Sequence, residues 1–454
     1  MSTAAPAELS PEMVQRLSAR GQRFESAVRS LDWGGDYGAE DYVRALDEVA
    51  RHPAETLSLY VHIPFCAGRC LYCGCNTTVT HDSARMDAYL DLLDREMAMV
   101  AERINGDRDV LQVHLAGGTP NYLSEAQLTR LTEMLERRFH LVADTERSIE
   151  CDPRRTSAGQ LELLHALGFH SIGFGVQDLD PEVQRAIGRI QSEELIRDVY
   201  WMAREIGFDS ISFDLIYGLP QQTATTFSRT LDTVLELAPD RVACFGYARQ
   251  TLDGPHQHAI DVHELPDNAT REQLFRSAVA AFTQAEYAWI GLDTFALETD
   301  DLALAQAEGR LHRSCIGYTA TPSAHLAGLG AGAIGELQGT CVQNYPDLDT
   351  WRDHVVSGRI PVQRGHRLSE AGRRRRDAIS HLICNLELPH AMADGCLDEG
   401  CRCGGAWAGG GVGWGRPGGW CVTEAGRFCL RELCTEHDAY CQWDRARWHF
   451  SHSD

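Results

Sequence analysis

The sequence predicts an α/β fold, an incomplete (β/α)6 barrel on a parallel sheet, followed by a smaller, mostly helical domain. Three observations carry this. From Leu57 onward, short apolar runs alternate with helix-like segments six times. Polar or glycine residues mark one strand end after another. A loop with four closely spaced cysteines leaves the first strand on that same side, and in such folds the chemistry gathers at the carboxyl ends of the strands.

Residues 1–50 read as a polar, helical lead-in, 51–300 as the barrel, and 301–454 as a C-terminal domain with a Gly/Cys-rich insert near 396–420. The alternating run Leu57–Ile63 is the first strand. Ser83–Ile104 follows as a long helix with Met86, Tyr89, Leu90, Leu93 and Met97 on one face. Residues 110–115 form the second strand, and the capping box Ser124-x-x-Gln127 opens a helix to about 139. The third strand is 148–151, with a helix over 156–167. The fourth is 171–176, followed by helices at 181–187 and 193–206. The fifth is 211–216 with a helix over 225–237, and the sixth is 241–247. The strand ends carry Gly117-Gly118-Thr119, Glu150, Gly175-Val176-Gln177, Asp214 and Ala248 in turn. The stretch from Cys403 to Trp420, rich in Gly and Trp, is expected to form neither helix nor strand.

Composition excludes several classes. A formal net charge of −23 argues against a nucleic-acid backbone as partner. No apolar run is long enough to span a membrane, and the first twenty residues lack a signal-peptide core. With no export signal, 16 cysteines point to metal or redox use in the cytoplasm rather than to disulfides.

The cysteine loop, Cys66-x3-Cys70-x2-Cys73-x-Cys75, fits two chemistries. Closely spaced thiolates suit structural zinc. Three of them also suit a [4Fe-4S] cluster with one iron left open. Cysteines spaced in this way after a first strand resemble the radical S-adenosylmethionine (SAM) superfamily, in which the open iron binds SAM.

Further motifs are similar to the oxygen-independent coproporphyrinogen III oxidase (dehydrogenase) family. They include Tyr60-Val61-His62-Ile63-Pro64-Phe65-Cys66, Gly117-Gly118-Thr119-Pro120, Gly175-Val176-Gln177-Asp178 and Asp214-Leu215-Ile216-Tyr217-Gly218-Leu219-Pro220. Gly317-Tyr318-Thr319 and Leu382-Ile383-Cys384-Asn385 fit as well. The likeness runs over about 45–390 and returns at 422–440.

The resemblance implies a partial (β/α)6 radical SAM barrel with a mostly helical C-terminal domain. It implies that Cys66, Cys70 and Cys73 hold the cluster, and that Cys75, Tyr60 and His62 serve catalysis. Two SAM molecules are implied. Tyr60, Gly117, Glu150 and Ile334 would contact one; Tyr72, Gly118, Thr119, Gln177, Arg189, Asp214 and Ala248 would contact the other. The implied reaction is oxidative decarboxylation of coproporphyrinogen III to protoporphyrinogen IX. An electron donor such as flavodoxin or ferredoxin would supply the electron, and the chain would act as a monomer.

The sequence departs from the family at Arg23-Phe24-Glu25-Ser26-Ala27-Val28, at Ile316 and at Thr294-Phe295-Ala296-Leu297-Glu298, in parts that would cover the substrate. Two alternatives therefore stand beside the oxidase: another radical enzyme, a methyltransferase or a haem-degrading one, and a haem chaperone, against which Cys75 argues. The later cysteines Cys396, Cys401, Cys403, Cys421, Cys429, Cys434 and Cys441 read as buried thiols, with a second metal site as the alternative. From the run Arg373-Arg374-Arg375-Arg376, one of the last two is expected to hold a substrate propionate.

Overall fold

The computed structural model describes residues 37–248, 255–393, 412–431 and 434. The expectations at Arg23–Val28, at 396–411 and at Cys441 lie outside the described residues. After helix α1 (Ala39–Ala50), β1 (Leu57–Ile63) opens a run of parallel strands. It continues with β4 (Asp109–Gly117), β5 (His140–Cys151), β6 (Ser171–Gln177), β7 (Ser210–Tyr217) and β8 (Arg241–Gly246), in that order across the sheet. The short pair β2 (Phe65–Cys66) and β3 (Thr78–Val79) closes the cysteine loop. The crossover helices are α2 (Ser83–Ile104), α3 (Glu125–Arg138), α4 (Ala158–Ala166), α5 (Pro181–Ala186), α6 (Glu193–Ile206) and α7 (Ala224–Leu237).

Helix starts follow the sequence signals. Ser124 accepts from Gln127 N while the Gln127 side chain accepts from Ser124 N, the reciprocal cap its spacing predicts. Alternation along β1 sends Leu57, Leu59, Val61 and Ile63 into the apolar layer under the helices. Ser58, Tyr60 and His62 therefore face the barrel interior. On β4 the same rule sends Gln112 and His114 inward; His114 stacks on Tyr60 and its Nδ1 pairs with Ser148 Oγ at 2.7 Å.

Among the described residues the sheet has 12 strands, because it continues past both ends of the parallel run. After α8 (Asn268–Gln284), β9 (Tyr287–Gly291) and β10 (Thr294–Leu297) add antiparallel strands beyond β8. At the other edge, β13 (His325–Leu329) pairs parallel to β1. Three antiparallel strands follow it: β14 (Ile334–Leu337), β15 (Thr340–Asn344) and β16 (Val362–Arg367). Between these sets, the hairpin of β11 (His312–Ser314) and β12 (Gly317–Thr319) enters the barrel. Gln112 Nε2 donates to Thr319 Oγ1 at 2.7 Å, and Ser58 Oγ meets Ser323 Oγ at 2.7 Å.

The helical part after the barrel is α9 (Asp301–Ala307), α10 (Leu348–Val356) and α11 (Glu370–Asn385). One expectation is corrected here. Within the Gly/Trp-rich stretch, β18 (Gly413–Arg416) and β19 (Gly419–Val422) form a hairpin that pairs onto β17 (Glu387–Pro389). Pro417 and Gly418 make its two-residue turn; Gly418 has φ +103, which a glycine adopts without strain. A side chain at Gly419 would meet Leu388 O at 2.5 Å, so glycine here permits the strand pairing instead of breaking it. Among the later cysteines, Cys429 and Cys434 are buried in an apolar cluster with Leu292, Ile379 and Leu382, while Cys421 on β19 is half-buried.

Candidate functional site

The cysteine loop is positioned from several directions. Gly118 N donates to Ile63 O at 2.8 Å and Thr119 N to Phe65 O at 2.9 Å, so the Gly-Gly-Thr turn after β4 backs the start of the loop. A Cβ at Gly118 would lie 2.7 Å from the Pro64 carbonyl carbon, which only glycine avoids. Thr119 Oγ1 is 3.3 Å from Cys66 Sγ. Leu71 N donates to Ile187 O at 2.9 Å. Beyond β8, His256 Nε2 pairs with Cys73 O at 2.6 Å and Gln257 Nε2 donates to Tyr72 O at 3.0 Å. Neither His256 nor Gln257 was legible beforehand, since both lie in a short 3-10 turn with no motif.

The thiols feel one another's charge. Cys66 and Cys70 are buried. Burial pushes the Cys66 thiol up to about 11, with Cys73 and Cys70 adding to the rise. Cys73 is pulled down to about 7, chiefly by a hydrogen bond from the Cys75 side chain, with Arg189 and Arg69 assisting. Cys75 N also donates to Cys73 Sγ at 3.4 Å. Cys70 Sγ has Arg189 Nη1 at 3.6 Å and Arg154 Nη2 at 3.9 Å. Asp152 joins both arginines; burial raises its carboxyl, yet Arg154 and Arg189 bring the net shift below the usual range. Among the described residues, no three His, Cys, Asp or Glu side chains stand close enough to share a single ion. A cubane asks less, only three thiols around a common space, because each binds a different iron.

Two further sets line the barrel. On β5, Glu150 is half-buried, and desolvation with the Asp214 charge raises its carboxyl well above the usual range. A Cβ on Gly173 would touch the Glu150 carboxylate at 2.6 Å, so that glycine makes its room. On β6, Arg189 Nη2 donates to Gly175 O at 2.8 Å. A Cβ at Gly175 would collide with the Gln177 amide at 2.8 Å. Gln177 itself holds a left-handed φ of +65, and Gln177 Oε1 and Arg189 Nε are buried with no hydrogen-bond partner. Strain and orphaned polar atoms at a strand end are the mark of a ligand cradle.

On the opposite side, Tyr60 OH is 3.0 Å from His62 Nδ1, and His62 Nε2 is 2.9 Å from Asn76 O. Gly117, φ +112, carries no side chain because a Cβ would lie 2.5 Å from the His62 ring. Ile334 starts β14 and is buried, and its neighbour Ala333 packs with Tyr60 and Leu326. Ala248 follows β8 as the last described residue before 255. Tyr60, His62, Gly117 and Ile334 thus stand on the β1–β4–β14 side. Gln177, Arg189 and Asp214 stand on the β6–β7 side, with Glu150 between.

The family model described as the radical SAM superfamily matches residues 60–234. The oxygen-independent coproporphyrinogen III oxidase of Escherichia coli is 41% identical over 379 residues, covering 84% of this chain and 82% of the relative. The protein of that name from Synechocystis is 35% identical, covering 86% and 83%. A solved structure of coproporphyrinogen III oxidase from Escherichia coli, described as a radical SAM enzyme, superposes with a TM-score of 0.87 at 37% identity. It covers 95% of this chain and 99% of that one.

Proposed function

This chain belongs to the oxygen-independent coproporphyrinogen III oxidase family of radical SAM enzymes, and from that premise we propose that it converts coproporphyrinogen III to protoporphyrinogen IX in haem biosynthesis. The observation that carries the reading is that one guanidinium, Arg189, meets Cys70 Sγ, the Asp152 carboxylate and Gly175 O, which ties the thiol loop to the ends of β5 and β6. When bound, the cluster and SAM would supply radical chemistry able to remove a propionate β-hydrogen, and loss of CO2 with one electron passed to an external acceptor would leave a vinyl group.

The chain's own residues hold and shield. Cys66, Cys70 and Cys73 would hold the cluster, and Arg189 and Arg154 set positive charge beside the Cys70 thiolate. Glu150 and Asp214, both half-buried, repel each other in the barrel wall, so a cationic group or ribose hydroxyls between them would relieve both. Gly117 and Gly118 let backbone amides come close to a ligand. Tyr60, Gly117, Glu150 and Ile334 on one side, with Tyr72, Gly118, Thr119, Gln177, Arg189, Asp214 and Ala248 on the other, support two SAM sites. Cys75 stands beside the cluster thiols as the candidate catalytic thiol. A cavity of about 230 Å3 between β14, the β11–β12 hairpin and α11 is below the usual size for a whole organic ligand of roughly 300 Å3 or more; it suits one propionate arm.

The test is anaerobic turnover with coproporphyrinogen III, SAM and dithionite. Protoporphyrinogen IX should form with two CO2 per molecule. Formation of 5′-deoxyadenosine with no vinyl product would refute the substrate while keeping the radical chemistry.

A further inference from the structure

We propose that the outer side of the cysteine loop, with the turn after α5, is the docking face for an acidic protein that carries one electron. The inference rests on the reading that Cys70 is a cluster ligand. Gly68 and Arg69 at the loop tip are exposed. The turn after α5 lies against this loop through Leu71 N and Ile187 O, and Gly188 within it (φ +66) lets Leu71 pack close, since a Cβ there would lie 3.3 Å from the Leu71 side chain. The next exposed side chain is Ile190, at 60% one of the most exposed large apolar residues described. A solvated isoleucine beside a functional loop is the kind of apolar anchor that a partner covers.

The charge around it is the reverse of the whole. The protein carries −23, yet exposed Arg69 stands on the loop itself, and half-buried Arg154 and buried Arg189 reach Cys70. Exposed Arg155 and Arg185 are on the adjoining turn and on α5, against exposed Glu194 on the next helix. The carboxylates among them are Asp152, on Arg154 and Arg189, and Glu182, on Arg185; Glu193, which opens the next helix, pairs with Arg197. At about 0.1 M salt the Debye length is roughly 10 Å, so a docked partner feels these arginines rather than the distant acidic surface. An acidic carrier is repelled elsewhere and accepted here, which orients it.

The distance also favours this face. Arg154, in contact with Cys70 Sγ at 3.9 Å, is 29% exposed, so one side chain separates that thiol from solvent. Small, transient interfaces are usual for redox encounters. The step itself makes and breaks no bond: the donor gives one electron and the cluster receives it.

The experiment compares cluster-loaded wild type with Ile190→Asp, Arg155→Glu and Arg185→Glu, surface changes outside the cofactor contacts. Oxidised flavodoxin serves as binding probe by calorimetry. Reduced flavodoxin and dithionite serve as alternative reductants for 5′-deoxyadenosine formation. Ile190→Asp should weaken flavodoxin binding and flavodoxin-driven turnover about ten-fold or more, with dithionite-driven turnover unchanged. Raising salt to about 0.5 M should weaken wild-type binding. If all three variants bind flavodoxin and turn over with it as wild type does, the docking face is overturned. If wild type fails with dithionite as well, the cluster reading falls and the docking face with it.

Discussion

His62 has both ring nitrogens committed. The Asn76 carbonyl can only accept, so His62 Nε2 carries the hydrogen and Nδ1 accepts from the Tyr60 hydroxyl. Burial pushes its pKa down to about 4, which keeps the ring neutral. In this state His62 orients Tyr60 and the end of the cysteine loop, and no ring nitrogen is left to exchange a proton. Glu150 is the residue whose ionisation shows most directly. Its carboxyl titrates higher in the folded chain than in the unfolded one, so the folded state binds more protons across that window and stability falls as pH rises through it. Glu150→Gln should therefore raise the melting temperature of the ligand-free protein by roughly 2–6 °C at about pH 9 and hardly change it at about pH 4. An equal effect at both pH values would show that the charge is not the cause. The thiols make a second prediction. Cys66→Ala, Cys70→Ala or Cys73→Ala should each lose cluster iron and sulfide. Cys75→Ala should keep them and lose vinyl formation; full iron in Cys70→Ala would refute the ligand set.

Among elements, the clearest dependence is that of the turn between β13 and β14 on α2. Glu96 of α2 is buried and accepts from Gly330 N at 3.0 Å, Trp351 Nε1 at 2.9 Å and Asn344 Nδ2 at 2.6 Å. Tyr89, two turns earlier on α2, donates to His62 O at 2.7 Å and accepts from Ala331 N. Asn76 Nδ2 donates to Ala331 O at 3.1 Å, which links the same turn to the cysteine loop. Burial pushes Glu96 up to about 7, against the three donors that favour its charge. Glu96→Ala strands three buried donors and should lower stability by about 3 kcal/mol or more, read by denaturant unfolding. A loss under about 1 kcal/mol would mean that water replaces the carboxylate.

None of this clamp was legible in the sequence, where Glu96 was one acidic residue in an amphipathic helix. The six barrel strands were legible because their apolar runs are short and bounded. β13–β15 were not, because Gly328, Gly330, Gly332 and Gly335 interrupt the alternation; those glycines are required by close backbone approach, as at Gly328, where a Cβ would lie 2.3 Å from Ile334 O. The first half of β5 also escaped notice, since its side chains are largely polar and partly exposed. The cysteine loop and strand-end residues were readable because short motifs hold them. Arg154, His256 and Gln257 act on that loop from distant segments and leave no local pattern.

At the scale of the whole molecule, side-chain links tie the C-terminal helices to α2 and to the sheet. Arg376 on α11 pairs with Glu336 on β14 and with Asp377, and all three line the cavity. Its guanidinium is thus already engaged, and its first duty is to join α11 to the sheet. Arg376→Ala should lower the melting temperature by roughly 2–6 °C. It should also raise the KM for coproporphyrinogen III about ten-fold, with uncoupled SAM cleavage preserved. A lowered melting temperature with unchanged KM would make Arg376 a strut alone.

The pairing of β1 with β13 sets an order of events during synthesis. Leu57 meets His325, so the edge of β1 stays open until some 270 further residues have been made. At roughly 5–20 residues per second, a ribosome exposes that edge for tens of seconds. The thiol loop leaves the ribosome among the first parts of the barrel, while the turn at Gly330 that braces it arrives near the end. An unpaired strand edge invites pairing with other nascent chains. Slower initiation or a cooler culture should therefore raise soluble yield more than extra iron would, and metal loading belongs after the chain is released.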